Sequence, residues 1–449
     1  MLRRDFLRFS VFLAALSGLP SRSFGAEKFR VDPRLGHRIG GLEYSFKNGV
    51  AEFDRSVLTR HLPRLAGGAT YFVDPARGNN DEDGLAWDSS LRTVSEALRK
   101  ADVGRVVVRG GFIYRIDETG NEGLGVYIGS RDVSIVSHGG MAIFSTARVA
   151  KWSRSWFRSN GDVSISSPTG GRIVRVVDTS RLDSYGEYEN VKQVDSIEEC
   201  KSKPDTWFYE KGRVHLNREN VPGDEILLLR SSAQGVSAKN VRVHFNGIHF
   251  VGGSNGAFSD FGSEGSLLFF ENCKFTHNWQ SDGLKINDSY LTISVNCVAA
   301  QNAKDGFNYH KGVHTSPHFI EVGCLAYANH APATGNGSSS HDQCVGIRIN
   351  SSYHNNSGPG VADVNDARTY NISCASRENG PGGNSSGFLA SSDGKNGTGA
   401  MMWLDHCSAG GNSGRDVYAG SGAVINYRSL EIDDDEIFAD SSSVLAAFG

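Results

Sequence analysis

Short runs of alternating apolar and polar residues, punctuated by glycine and asparagine, occupy most of the second half of the chain. The segments ENCKFTHN, VNCVAAQN, VGCLAYAN, ISCASREN and DHCSAGGN each place an asparagine five residues after a cysteine, at Asn278, Asn302, Asn329, Asn379 and Asn412. A sixth copy, INSSYHNN, has Ser351 in the cysteine place and Asn356 in the asparagine place. Successive copies lie 24, 27, 27, 23 and 33 residues apart, a period that belongs to stacked supersecondary units. Counting back four and two residues from each cysteine place gives Phe269 and Glu271, Ile293 and Val295, Ile320 and Val322. The next copies give Ile347 and Ile349, Tyr370 and Ile372, Trp403 and Asp405. This is the period of a strand, with Glu271 and Asp405 as unexplained exceptions. After the asparagine a second strand begins at Asp282-Gly283-Leu284, Asp305-Gly306-Phe307, Gly360-Val361 and Gly387-Phe388. Two or three short strands per turn, with no helix between them, predict a β-solenoid.

Stacking such coils about 4.8 Å apart brings residues at one repeat position into columns. The asparagines are then expected to form a ladder at a turn, each amide bonding the next coil. The repeat cysteines are expected to form an inward column, where small soft thiols fill a narrow core. Disulfides between coils are the second reading, because the coil spacing lies within disulfide range. The seven cysteines (Cys200, Cys273, Cys297, Cys324, Cys344, Cys374 and Cys407) are an odd number and contain no CxxC pair, which argues against a thiolate zinc site. Glycine, at 54 residues against 11 prolines, suits a chain that turns often between short strands.

The stretch TYFVDPARGNNDEDGLAWDSSLRTVSEALRKADVGRVVVRGGFIYR resembles the opening of exported pectate-lyase-like β-helix proteins. It reads as a first strand (Tyr71 to Asp74), a Gly/Asn/Asp-rich loop, a helix, and a strand ending in Arg-Gly-Gly. Thr93 with Glu96 fits a capping box, and Val94, Ala97, Leu98 and Ala101 give the helix an apolar stripe. The resemblance implies an all-β, right-handed parallel β-helix whose N-terminal helix seals the open end of the core. The expected organisation is an N-terminal extension over 27–68, the β-helix over 69–430, and a C-terminal cap or tail over 431–449 that includes Asp433-Asp434-Asp435. Between about 151 and 230 the repeat is obscured by an aromatic-rich insertion (Trp152, Trp156, Phe157, Trp207, Phe208, Tyr209), with a hairpin expected around Lys211-Gly212. Its aromatics read either as a satellite core or as a sugar-stacking platform.

The first 26 residues change the picture of location. Arg3 and Arg4 precede a short apolar stretch from Val11 to Leu19, and Ser23-Phe24-Gly25-Ala26 offers small residues for cleavage. The apolar stretch is shorter than the roughly 20 residues of a membrane span. Arg3-Arg4-Asp5-Phe6-Leu7 resembles a twin-arginine export signal, so the expectation is a twin-arginine type signal peptide over 1–26. The export machinery is then a partner, and the destination is periplasmic or secreted, with no membrane association after cleavage. A net charge of −4 with 21% charged residues gives no sign of a nucleic-acid surface.

The resemblance places a site in a groove on the outer face of the central coils. If Leu284 and Phe307 point inward, Lys285 and Asn287 face outward on one coil, and Asn308 and His310 occupy the same columns on the next. The long loop NHAPATGNGSSSHDQC carries His341 and Asp342, Arg348 is assigned an outward strand position, and the following coil adds Asp363, Asn365, Asp366 and Arg368. A one-residue slip at Gly360-Val361 would turn Asp363 inward. Lys285, His310, His341, Asp342 and Arg348 are the candidate catalytic residues. Asp282, Asn287, Asp305, Asn308, Asp363, Asp366 and Arg368 are the candidate substrate-binding residues. Asp282-Gly283 and Asp305-Gly306 also read as plain turn signals. His310, His314 and His318 have a metal-like spacing, but Gly312 and Pro317 exclude a helix there.

A polysaccharide lyase acting on a uronate needs a cation for the carboxylate and a base for the neighbouring proton, which Lys285, His310, His341 and Arg348 supply. A glycoside hydrolase needs two carboxyl groups, from Asp282 with Asp305 or Asp342 with Asp363. A non-catalytic glycan-binding or adhesin-like solenoid would use the same groove without turnover. The Asn-Thr-Asp and Gly-His-Gly motifs of polygalacturonase relatives are absent, as is the Arg-x-x-x-Pro-x-x-Arg pattern of one pectate lyase group. Among these classes the lyase on an acidic polysaccharide is preferred. Ca²⁺ is the cofactor expected, with Asn79-Asn80-Asp81-Glu82-Asp83 as a candidate loop that reads equally as a metal-free turn.

Overall fold

The computed structural model describes residues 27–62, 68–115, 132–148, 151–154, 163–220, 222–233, 235–239, 242–261, 265–313, 316–330, 335–381, 385–394, 398–433 and 437–448. The segment 1–26 expected to be an export signal, with Trp156, Phe157, His314, Asp434 and Asp435, lies outside these residues. Three long parallel sheets run the length of the molecule, with twelve, ten and nine strands among the described residues. One coil shows the order: Leu267–Glu271 in the first sheet, Lys274–Thr276 in the second, Leu284–Asn287 in the third, then Leu291–Val295 back in the first. Every pairing between coils in these sheets is parallel, for example Phe269 with Ile293 and Phe275 with Ala299. The chain is a right-handed parallel β-helix.

The corner between the second and third sheets explains two repeat signals together. Asn302 Nδ2 donates to Asn329 Oδ1 at 2.9 Å, Asn329 to Asn356 at 2.9 Å, Asn356 to Asn379 at 3.0 Å and Asn379 to Asn412 at 2.9 Å. Each of these amides also donates to a backbone carbonyl of the preceding coil, as Asn329 does to Ala299 O at 3.1 Å. The ladder ends where Asn412 Nδ2 donates to Asp416 Oδ1 at 2.8 Å. The residue before each rung (His277, Gln301, Ala328, Asn355, Glu378 and Gly411) is left-handed, which turns the chain. A Cβ at Gly283, Gly306, Gly337, Gly360 or Gly387 would lie 2.5–3.0 Å from one of the ladder amides. Glycine recurs there because the asparagine column leaves no room for a side chain.

A second left-handed column, Asn272, Asn296, Gly323, Asn350, Ser373 and His406, precedes the repeat cysteines. It reverses the alternation between the first sheet and the cysteine. Cys273, Cys297, Cys324, Cys374 and Cys407 point inward and are buried as free thiols, as are Cys200 and Cys344. The apolar pairs four and two residues before each cysteine point outward instead. Ile293, Val295, Ile320, Val322, Ile347, Ile349, Tyr370 and Ile372 form one cluster with Leu35, Ile39, Leu42, Tyr44, Ala51 and Leu58 of the N-terminal extension. That extension is a small antiparallel sheet, Phe29–Arg30, Glu43–Lys47 and Val50–Phe53, laid over the first sheet. Asn350 pins it by exchanging two 2.9 Å hydrogen bonds with the backbone of Ala51. The two exceptions now have partners: Asp405 accepts from Tyr44, Arg428 and His406, and Glu271 pairs with His244 of the preceding coil at 2.8 Å.

The helix Val94–Arg99 is capped by Thr93, whose hydroxyl accepts from Glu96 N–H. Val94 and Ala97 are buried against the end of the core with Leu98 beside them, while Ala101 is exposed and outside the stripe. Glu96 pairs with Arg99 at 2.7 Å. The insertion enters at the corner between the second and third sheets. Its hairpin, Thr206–Glu210 with Arg213–Asn217, turns at left-handed Lys211 and Gly212. Trp207 is buried with Ile173, Val176, Val214 and Leu216, and Trp152 and Tyr209 pack on them, so these aromatics are a satellite core.

Asn329→Ala would strip hydrogen bonds from both neighbouring coils, at about 1–3 kcal/mol for each buried group left unpaired. A marked drop in the denaturant midpoint is expected. An unchanged midpoint would mean that the ladder does not hold the coils together.

Candidate functional site

Two of the three outer faces are occupied. The extension covers the first sheet. The insertion covers part of the second, where Glu187 meets Lys274 at 2.8 Å, Asp183 accepts from Gln301 at 2.6 Å, and Tyr185 lies 4.5 Å from the Tyr327 ring. No helix or sheet among the described residues packs on the outer face of the third sheet in this way. Of its outward residues Lys285, Asn287 and His310 are partly exposed, whereas Asn308 and Ser339 are buried.

Register settles the columns. Lys285 pairs with Asn308, and Asn287 with His310, as the alternation implies. Asn308 continues to Ser339. His341 follows the strand Ser338–Ser340, and its ring stacks on His310 with centroids 4.0 Å apart and planes within 7°. Left-handed Asp342 turns its carboxylate toward His310, Oδ2 lying 3.8 Å from Nδ1, and its other oxygen accepts from Asn365 Nδ2 at 2.7 Å. Burial lowers the His310 pKa, against the opposing charges of Asp282 and Asp342, and Lys285 lowers it further. Burial, with His310 alongside, takes His341 down to about 3. Both imidazoles are thus neutral at neutral pH. Asn308 is almost buried, and its Oδ1 accepts no hydrogen bond among the described residues.

Other candidates fall elsewhere. Arg348 is assigned an outward position by simple alternation, but it is fully buried and points into the lumen, because the left-handed corner puts the outward phase on Ile347 and Ile349. It donates to Ser338 Oγ at 2.9 Å and to Asp363 Oδ1 at 3.1 Å, and lies 3.9 Å from Glu321. Burial works against the Arg348 charge, but Asp363 and Glu321 outweigh it and raise its pKa. Asp363 is interior too and needs no register slip: Val361 shares the column of Leu284 and Phe307, so Asp363 falls beneath Ala362. It also accepts from Ser340 Oγ at 2.6 Å and from Thr369. Neither residue reaches a groove.

Asp282 and Asp305 are 2% and 6% exposed. Asp282 Oδ1 accepts Asp305 N–H at 3.2 Å. Asp305 accepts Asn336 N–H at 2.8 Å and the Ser339 hydroxyl. Burial and the charge of Asp282 raise Asp305 to about 7. They shape the corner beneath the face rather than line it. Asp366 accepts from Thr398 at a loop, and Arg368 is exposed at the start of a first-sheet strand, so both sit off the third-sheet face. Ser339 was missed because Ser338-Ser339-Ser340 carries no alternation that separates inside from outside. In the acidic loop, Asn80 Oδ1 accepts the backbone of Arg92 and Thr93, and Asp83 accepts Leu85 N–H and Ser89. Among the described residues no three His, Cys, Asp or Glu side chains converge as a metal site.

No family model matches the chain, and no curated protein matches it. Among solved structures it is similar to pectate lyase Pel9A, with 17% identity, 85% of this chain and 81% of that one covered, and a TM-score of 0.48. A glycoside hydrolase shows 9% identity over 85% of this chain and 96% of its own, with a TM-score of 0.46. The A-module of the mannuronan C-5 epimerase AlgE4 of Azotobacter vinelandii shows 14% identity, 77% and 89% coverage, and a TM-score of 0.36.

The two placements of basic residues predict opposite behaviour. Arg348→Met, which strands Asp363 and Glu321 inside the lumen, should cost about 3–5 kcal/mol. Lys285→Ala, on the open face, should shift stability by no more than about 0.5 kcal/mol. Denaturation midpoints of the two variants check both positions.

Proposed function

We propose that this protein is an exported carbohydrate-active β-helix that cleaves a uronate-containing polysaccharide by β-elimination on the outer face of its third sheet. The observation that carries the reading is a neutral imidazole, His310, one coil from the ammonium of Lys285 on the same face. The resemblance of the chain's opening to pectate-lyase-like proteins selects the substrate class.

Each group has a task. Asp342 beside Nδ1 favours the tautomer with its proton there, leaving the Nε2 lone pair to accept the C5 proton of the uronate. Lys285 sits against the sugar carboxylate and stabilises the charge that develops on it as the proton leaves. The electron pair forms the C4=C5 double bond and the C4–O glycosidic bond breaks. The leaving oxygen takes a proton from solvent, so no water is added across the bond. Adding Ca²⁺ or a chelator to the assay tests whether the reaction needs the ion.

Hydrolysis is the second reading, favoured by one observation: burial and the Asp282 charge raise Asp305 to about 7, and Asp282 Oδ1 accepts the Asp305 N–H at 3.2 Å. Both oxygens of Asp305 are already engaged in the turn, which ranks it below elimination.

Purified mature protein incubated with acidic polysaccharides should raise the ultraviolet absorbance of unsaturated uronide ends. His310→Gln should reduce the rate on the order of 10²–10⁴-fold, and Lys285→Ala should impair it as well. New reducing ends without unsaturated product would replace elimination by hydrolysis, and neither product would leave a binding protein. Because the folded His310 pKa lies below its ordinary value of 6.5, the active, neutral form persists as pH falls through 6.5. The rate should decline only below that, with an inflection that His310→Gln removes.

A further inference from the structure

The outward column that contains Lys285 changes character along the axis. From Lys285 it runs through Asn308, Ser339 and Ala362 to Leu389, Tyr418 and Phe438. The first residues are polar and the middle two are small and lie low, while the last three are large and apolar. Leu389 and Tyr418 are partly exposed and Phe438 is 38% exposed. Among the described residues the covers rest on the first and second sheets, and this apolar end keeps part of its surface exposed.

The Tyr418 ring is placed to be used as a surface. A Cβ built on Gly420, the next outward position of the strand, would lie 3.0 Å from both Cζ and the hydroxyl oxygen of Tyr418. The ring therefore lies down along the sheet over Gly420 and turns one face away from the protein. Phe438 lies beside it with centroids 5.7 Å apart at 35°, and the exposed Arg415 guanidinium sits 3.9 Å from the centre of the Phe438 ring. A flat aromatic face next to a guanidinium matches a pyranose ring that carries a carboxylate: the ring face packs on Tyr418 and the acid meets Arg415. Tyr418 is five rungs from Lys285 in the same column, about 24 Å at the coil spacing.

We infer that Tyr418, Phe438 and Arg415 form a distal subsite that grips a uronate-containing polysaccharide running along the solenoid axis, with Gly420 holding the Tyr418 ring flat. This rests on the glycan reading of the third-sheet face. Its consequence is length dependence: chains that reach from Lys285 to Tyr418 bind more tightly than chains that do not.

Calorimetric titration of the mature protein with polygalacturonate and with alginate, each as polymer and as trisaccharide, tests it. Tyr418→Ala should weaken polymer binding roughly tenfold, and Tyr418→Phe should retain it. Gly420→Val, which leaves Tyr418 present but forces its ring off the sheet, should reproduce the loss. Thermal melting identifies any variant that has merely unfolded. Polymer affinity equal to wild type in folded Tyr418→Ala and Gly420→Val would overturn the subsite while leaving the glycan reading standing. A wild-type protein that binds neither polymer would overturn both.

Discussion

Everything in this molecule depends on one coil lying in register on the next. Once the repeat is stacked at strand spacing, any side chain becomes a column, and a column is stable only if its members satisfy one another. The asparagines do so by bonding side chain to side chain and side chain to backbone. The glycines beside them are a consequence of that ladder. Two sequence signals thus have one cause, and the corner they build sets the start of every third-sheet strand in the central coils.

A second constraint comes from the corner before the cysteines. One left-handed residue per coil reverses which face the alternating residues occupy. The central coils of the first sheet therefore present their isoleucines outward and polar side chains inward, which requires a cover outside and an internal network within. The N-terminal extension supplies the cover. Arg348, Glu321, Asp363, Ser338 and Tyr353 supply the network, with Glu321 held by Tyr353 at 2.6 Å and Ser338 at 2.8 Å. Burial raises Glu321 even against Arg348, so the two interior acids and one interior cation need not carry an uncompensated negative charge.

The extension lies over the first sheet and the insertion over part of the second; the proposed chemistry is placed on the third. There the outward columns combine the side chain of Lys285, two stacked neutral imidazoles and, further along, the ring of Tyr418. The scaffold holds Lys285, His310 and Tyr418 on strands, which restricts their relative positions to steps of one rung, while His341 sits just past the end of its strand.

How much of this was legible depended on how local its cause was. The solenoid, the asparagine ladder, the inward cysteines, the Thr93 cap and the pairing of Lys285 with Asn308 all follow from spacing along the chain, because a repeat fixes its own neighbours. The placement of Arg348 and Asp363 did not, since alternation states that two faces exist but not which one is inside. That choice was made by the left-handed corner and by apolar residues more than 200 positions away, such as Leu35 and Ile39 packing on the face that carries Ile320 and Ile347. The placement of Tyr418 was hidden for a similar reason: its ring lies against the position where Gly420 has no side chain. The sequence by itself determined the coil and its columns, through contacts each repeat makes with the next. Only the tertiary structure decided which faces the extension and the insertion cover, because burial is a property of what packs from elsewhere in the chain.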